Sequence, residues 1–249
     1  MAIILAIETS SELASCALFD SAAGTAAGNH VSARESAGVR THSQSVLPMV
    51  QELLREAGLA LADCDAIAFG AGPGSFTGVR TACGVAQGLA FGAALPVLPL
   101  VTLEAMAEAC RARSGADHVL AVLDARMNEV YWAQYRHVGG AWEAVSAPAL
   151  SAPQAVAPLA LPEGAALAAC GNGFTAYPDA FAGQAFAAGA LTDILPHARE
   201  MALLGARALA DGRAMPADAA QPIYLRNKVA YTSAERQALN AAAPGAGAR

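Results

Sequence analysis

Residues 70–80 read GAGPGSFTGVR, four glycines and a proline between a short apolar run, DAIAFG, and a long alanine-rich segment. Glycine supplies positive φ and lets two backbones approach closely, so this stretch calls for a chain that leaves a buried strand, turns sharply and enters a helix. Two common phosphate loops have that shape, and neither is present. A Walker-type loop needs a lysine and a hydroxyl after its last glycine, and a dinucleotide fingerprint needs G-x-G-x-x-G. GPGSFTG has the spacing G-x-G-x-x-x-G and no lysine. Two readings stay open. The free N–H groups of a helix opened by Ser75 or Thr77 could face an anion, or the glycines serve close packing of helix on sheet, which is the favoured reading.

Around this loop the hydrophobic pattern predicts a repeated plan. AIILAIET and SCALFD read as two strands joined by a polar turn at Ser10, Ser11 and Glu12, and a third strand is expected through TAAGNHVSA. Thr41, with Gln44 three places on, fits a capping box before HSQSVLPMVQELLREAG. There Val46, Leu47, Val50, Leu53 and Leu54 recur at helical spacing up to Gly58. DAIAFGAG reads as a buried strand, residues 75–92 as a second helix and PVLPLVT as another strand. The plan then begins again. HVLAVLDARMNEVYWAQYRHV places Asp124 at a turn where Glu8 stood, ALAACGNGF runs from strand into a glycine turn, and LPHAREMALLGARALADG is helical. APALSAPQAVAPLALPEG, rich in proline and alanine, reads as a surface excursion. We expect an α/β chain of two lobes, residues 1–102 and 103–225, and a partly disordered tail, 226–249. Two lobes on one plan are similar to the duplicated actin-like fold of sugar kinases, Hsp70-type ATPases and actin, with nucleotide between the lobes. The fold alone does not assign an activity.

Composition narrows the setting. A chain of 249 residues can bury a sizeable core. Its formal charge is -6 and Lys228 is its only lysine, so contact with nucleic acid is expected only through a partner. The alanine excess and the use of arginine for lysine read as compositional bias. Cys16, Cys64, Cys83, Cys110 and Cys170 form no C-x-x-C pair, and their odd number speaks against a disulfide framework, so a reducing, cytoplasmic compartment is expected. MAIILAIETS lacks the basic start of a signal peptide. The uncharged run 81–103 is broken by Gln87, Pro96 and Pro99, so no membrane span is expected.

Candidate chemistry is sparse. Ser10, Ser11 and Ser75 lie in no G-x-S-x-G elbow. Glu8 and Asp124 read either as carboxylates paired across a cleft for acid–base work or, favoured, as organisers of their own turns. Thr9, Ser10, Gly72, Gly74 and Ser75 are the positions of a vestigial nucleotide site, if one survives. His30, His42, His118, His137 and His197 are scattered without paired spacing, and no metal site is expected. His42 reads as a polar cap or surface group. From Gly78 onward small residues recur at every fourth place: Gly78, Ala82, Ala86 and Ala90 in one row, Gly84, Gly88 and Gly92 in another. Such rows let another helix come unusually close.

Four segments in this order, ILAIETSS, GAGPGSFTGVR, LDARMNEVYWA and PIYLR, closely resemble the TsaB (YeaZ) family, over nearly the whole chain to about Tyr231. The resemblance implies a bacterial, non-catalytic partner of TsaD and, through it, of the small ATPase TsaE. These proteins place the threonylcarbamoyl group on the adenosine next to the anticodon of tRNAs that read codons beginning with adenine. Where TsaD relatives carry the metal-holding pattern H-x-x-x-H, the matching segment here is TLEAM, with Thr102 and Met106 in place of the histidines. The resemblance therefore implies no metal, no cofactor and no catalytic residue. It also implies that the first two helices form a bundle with TsaD; the apolar spacing of the first and the small-residue rows of the second put the expected contact at Val46, Leu47, Val50, Leu53, Leu54, Gly78, Ala82, Gly84 and Gly88. The same face would pair two copies of the chain when TsaD is absent, and tRNA would be met only through the complex. The alternative, drawn from the fold, is a stand-alone ATPase or small-molecule kinase.

Overall fold

The structure is a computed structural model that describes residues 2–22, 30–37 and 42–226. β1 (Ile3–Glu8) and β2 (Leu13–Asp20) form an antiparallel hairpin, and β3 (His30–Ala37) pairs with the far side of β2. The chain crosses through α1 (His42–Ala57) to β4 (Ala66–Gly72), parallel to β1, and through α2 (Phe76–Ala93) to β5 (Val97–Val101), parallel to β4. The first sheet is therefore ordered β3-β2-β1-β4-β5. From there α3 (Thr102–Ser114) leads to β6 (His118–Arg126), β7 (Glu129–Val138), β8 (Ala141–Ser151) and β9 (Leu167–Cys170), which stand as β8-β7-β6-β9. Two single-turn helices, α4 (Gly173–Ala176) and α5 (Pro178–Phe181), precede α6 (Ala198–Ala210). β9 runs parallel to β6 as β4 does to β1, so the duplicated, two-lobed actin-like plan is present.

β1 and β4 are covered on both faces, which is why IILAIE and AIAFGAG read as unbroken apolar runs instead of alternating ones. Leu5, Ile7, Ile67 and Phe69 share one core with Val46, Val50 and Leu53 of α1 and Ala82, Ala86 and Ala90 of α2. Ile4, Ala6, Ala66 and Ala68 share the other with Met201, Ala202, Leu204 and Ala208 of α6. Each large side chain so buried contributes about 1.5–3 kcal/mol. The second seam is thin: a Cβ on Gly205 would stand 2.9 Å from the Cβ of Ala68. Part of the alanine excess thus has a structural use.

Several expectations change. α6 lies on the first sheet and not on the second, so residues 103–225 are not one closed unit. Without it, the second face of β1 and β4 would be bare. Val46, Val50, Leu53 and Leu54 are buried in the chain's own core, and so are Gly78 and Ala82; of the nine positions assigned to a partner, Leu47, Gly84 and Gly88 are exposed. A helix that covers a sheet spends its apolar stripe there, and the spacing of that stripe is the same whichever neighbour it meets. Residues 147–151 of the proline-rich stretch belong to β8, an edge strand. Pro148 falls where the β7–β8 register shifts, and a missing N–H is tolerated there. The capping box at Thr41, the first five residues of TAAGNHVSA and the tail beyond Arg226 lie outside the described residues. Among those described, no helix is long and apolar enough to cross a membrane.

Candidate functional site

The β1–β2 turn, the glycine loop and the β6–β7 turn converge on a cleft of about 380 Å³ between the lobes. Ser10, Ser11, Glu12, Gly74, Ser75 and Phe76 line one side. Residues 123–127, Tyr131 and Asn172 line the other, and residues 223–226 complete it.

On the first side the loop is fixed by the turn it crosses. Thr9 is fully buried and its hydroxyl donates to the Gly78 carbonyl at 2.7 Å, while the Ser75 N–H donates to the Ser10 carbonyl at 2.7 Å. A Cβ on Gly78 would lie 1.9 Å from the Thr9 carbonyl oxygen, and one on Gly74 would lie 2.6 Å from the Ser10 Cβ. The glycines are there because two backbones touch. Ser75 caps α2: its Oγ accepts the Gly78 N–H at 3.5 Å and its carbonyl accepts the Val79 N–H at 2.9 Å. Of the five vestigial nucleotide positions, Ser10, Gly74 and Ser75 reach the cleft. Thr9 points into α2, and Gly72, at φ +111°, packs beneath the Ile223 carbonyl.

Glu8 ends β1 and is fully buried. Its Oε1 accepts the Ser10 N–H at 2.5 Å, and its Oε2 lies 1.8 Å from where a Cβ on Gly70 would stand. Only glycine fits beside it. Burial pushes the Glu8 carboxyl up to about 7, with Ser10 and Thr9 pulling the other way.

Asp124 occupies the matching place on β6 and is held differently. Its Oδ1 accepts the Arg126 N–H at 2.8 Å and the Tyr177 hydroxyl at 2.9 Å, its own N–H donates to Asn172 Oδ1 at 2.9 Å, and the Arg126 guanidinium stands 3.2 Å from Oδ2. Arg126, Met127 and Asn128 all have positive φ, near 60°, so the carboxylate braces a tight turn. Arg126 also reaches Glu12 of the first lobe at 3.6 Å. Glu8 does not line the cleft, so the two carboxylates do not face each other across it.

The histidines lie on β3, α1, β6, β7 and just before α6, and no described group of three or more His, Cys, Asp or Glu is arranged to hold a metal. Thr102 and Met106 are fully buried. His42 is not a surface group: it is buried, with Nε2 3.3 Å from the Glu12 carbonyl. Sequence reasoning missed Arg80, Glu129, Tyr177, Tyr224 and Arg226 as parts of the cleft and its frame. The segment PIYLR held two of them, without a periodic pattern to say where they would lie. Outside the cleft, α2 shows an open face: among the described residues nothing stands within 4 Å of a Cβ on Gly84, Gly88 or Gly92, and Phe91 is 87% exposed.

The family model described as "TsaD: tRNA N6-adenosine threonylcarbamoyltransferase" matches residues 30–246. The chain is 40% identical over 229 residues to the tRNA threonylcarbamoyladenosine biosynthesis protein TsaB of Escherichia coli (strain K12), covering 92% of this chain and 96% of that protein. It is 50% identical over 131 residues to the TsaB of Haemophilus influenzae, covering 53% and 52%. Among solved structures, YeaZ from Pseudomonas aeruginosa matches with a TM-score of 0.80 at 38% identity, over 90% of this chain and all of that one.

Proposed function

The chain belongs to the TsaB (YeaZ) family, and on that premise we propose that it is a cytoplasmic, non-catalytic subunit in tRNA threonylcarbamoyladenosine biosynthesis. In this reading it scaffolds and activates TsaD, works with TsaE, meets tRNA only through the complex and needs no cofactor of its own. One observation carries the proposal: the glycine loop is filled by its own chain, whereas the helix it launches presents an unfilled face. Gly74 and Gly78 press on Ser10 and Thr9, while Gly84, Gly88 and Phe91 are open.

The proposed contact surface is therefore narrower than helical spacing suggested. It consists of Leu47 on α1 and of Gly84, Gly88 and Phe91 on α2. Three exposed glycines in one helix cost roughly 1 kcal/mol each relative to alanine, and close approach of a partner helix offsets that cost. In the absence of TsaD the same face would pair two copies of the chain. Reconstitution tests the reading: TsaD and TsaE should modify tRNA strongly only when this chain is added. Equal modification without it overturns the proposal. So does ATP turnover by the isolated chain on the order of 1 per second, which would favour the stand-alone ATPase.

A further inference from the structure

After α6 the chain follows one path over parts of both lobes. Met215 exchanges backbone hydrogen bonds with Val97 of β5 at 2.9 and 3.0 Å. The carbonyls of Ala217 and Ala220 accept the Gln87 amide of α2 at 3.0 and 3.1 Å, and the Ile223 N–H donates to the Ala71 carbonyl at 2.7 Å. The Tyr224 hydroxyl accepts from Arg80 Nε at 2.8 Å. The Arg80 guanidinium lies 3.7 Å from the centre of the Phe76 ring, which packs against Tyr224 at 5.7 Å between centroids. Every contact so far is with the first lobe. Two residues later Arg226 donates to the Glu129 carboxylate and to the Arg126 carbonyl, and it lies 3.3 Å from the Met127 sulfur. All three belong to the β6–β7 turn of the second lobe.

Among the described residues, two polar ties at this cleft are unequal. Arg126 and Glu12 have side chains 74% and 47% exposed and stand 3.6 Å apart, so their pairing contributes little. The Arg226 side chain is 15% exposed and meets three acceptors on one turn, a charge-assisted arrangement stronger than a surface pair. Elsewhere the lobes are joined by the covalent steps from Val101 to Thr102 and from the second sheet back to α6, by α3 packed on α6, β4 and β5 with Arg207 3.3 Å from Glu108, and by two apolar contacts, Trp142 of β8 on the core of the first lobe and Leu225 on that of the second.

We infer that residues 217–226 are a latch, seated on α2 and the glycine loop and closed on the second lobe by Arg226, so that the width of the cleft is tied to the outer face of α2 through Arg80 and Tyr224. Arg80 stands one helical turn before Gly84, on the open side of the helix. A protein that covers Gly84 therefore touches the seat of the latch. The coupling needs no nucleotide in the cleft, and it goes beyond the choice of partner.

Hydrogen exchange on the whole chain tests this. Arg226→Ala and Arg80→Ala should each speed exchange of the backbone amides of residues 126–130 by roughly tenfold to a hundredfold, the scale of one charged hydrogen bond, while amides of β1 and β4 exchange as in the parent. Arg226→Glu should do the same, and adding Glu129→Arg to it should return most of the protection. Unchanged exchange in the turn of folded Arg226→Ala overturns the latch, and an unchanged turn in Arg80→Ala overturns its link to α2. If Arg226→Ala loosens β1 and β4 as well, the reversed pair decides: recovered protection supports the latch, and lost protection overturns it.

Discussion

Glu8 and Asp124 stand near the same end of two sheets built on one plan, Glu8 as the last residue of β1 and Asp124 two residues before the end of β6. Glu8 is sealed beneath its turn, has one short backbone donor and is pushed toward neutrality. Asp124 is held by a backbone N–H, a phenol and a guanidinium at the mouth of the cleft. The glycine loops differ less. A Cβ on Gly78 would meet the Thr9 carbonyl at 1.9 Å, and one on Gly171 would meet the Val122 carbonyl at 2.1 Å. Duplication has kept a steric rule, a glycine pressed against a main-chain carbonyl of the neighbouring hairpin, while the carboxylate nearby is sealed away in one lobe and held at the mouth of the cleft in the other. The loops are therefore read as packing devices common to both lobes, and the difference between lobes sits in the acids.

The comparison breaks most visibly if either loop tolerates a side chain. Gly78→Ala puts a methyl group into backbone that has no slack, and a loss on the order of 3–4 kcal/mol is expected, at the upper end for single substitutions. Gly171→Ala should behave alike, with positive φ adding to the strain. Gly84→Ala, in open space, should instead stabilise by up to about 1 kcal/mol. Urea unfolding of the three chains checks the contrast, and a Gly78→Ala chain as stable as the parent would remove the packing reading.

The next effect concerns the sealed acid. Glu8 rises from 4.5 to about 7 on folding, so between those values the folded chain binds more protons than the unfolded one. Stability from this group is present below pH 4.5 and is lost as pH rises to about 7, by about 3 kcal/mol. Glu104 and Glu200, also raised by burial, slope the same way, and His197, lowered by burial, slopes oppositely. The test is thus the difference between parent and Glu8→Gln. The substituted chain should gain relative to the parent from pH 5 to pH 7.5, and a constant difference over that range would show that Glu8 stays charged.

How much of this was legible follows from what each signal encodes. The hairpins, α1, α2 and the capping role of Ser75 were readable because periodicity and caps are local. That α6 covers the first sheet was not, since an apolar stripe says that a helix is covered and not by what. The same limit assigned Val46, Val50, Leu53 and Leu54 to a partner when their own sheet holds them. Of the cleft-lining residues, Gly74 and Ser75 lie in the glycine-rich stretch and Ser10 in the polar hairpin turn, both local signals, whereas Arg226 belongs to a segment whose contacts lie about a hundred residues away in sequence. No short pattern carries that information.

A smaller effect separates the faces of α2. Gly84→Leu or Gly88→Leu should leave the chain's own packing intact, because among the described residues nothing stands within 4 Å of a Cβ at either position. At a close helix contact the added bulk costs about 1–3 kcal/mol, up to roughly a hundredfold in affinity. Sedimentation with and without TsaD, beside a melting curve, should show folded chains that pair weakly. Normal pairing in both would place the contact on another face.

The smallest effect returns to Asp124. Asparagine in its place keeps an oxygen that can accept the Arg126 N–H and the Tyr177 hydroxyl, and it loses the charge that faces the Arg126 guanidinium at 3.2 Å. Because that guanidinium is 74% exposed, the lost attraction is screened, and the expected cost is about 1 kcal/mol, mostly from weaker hydrogen bonds in the turn. If Asp124 only braces its turn, Asp124→Asn should melt slightly earlier than the parent and support tRNA modification fully with TsaD and TsaE at low temperature. A chain that melts like the parent yet fails in that assay would instead give Asp124 a direct part in the chemistry. The second lobe would then hold a working acid where the first holds a sealed one.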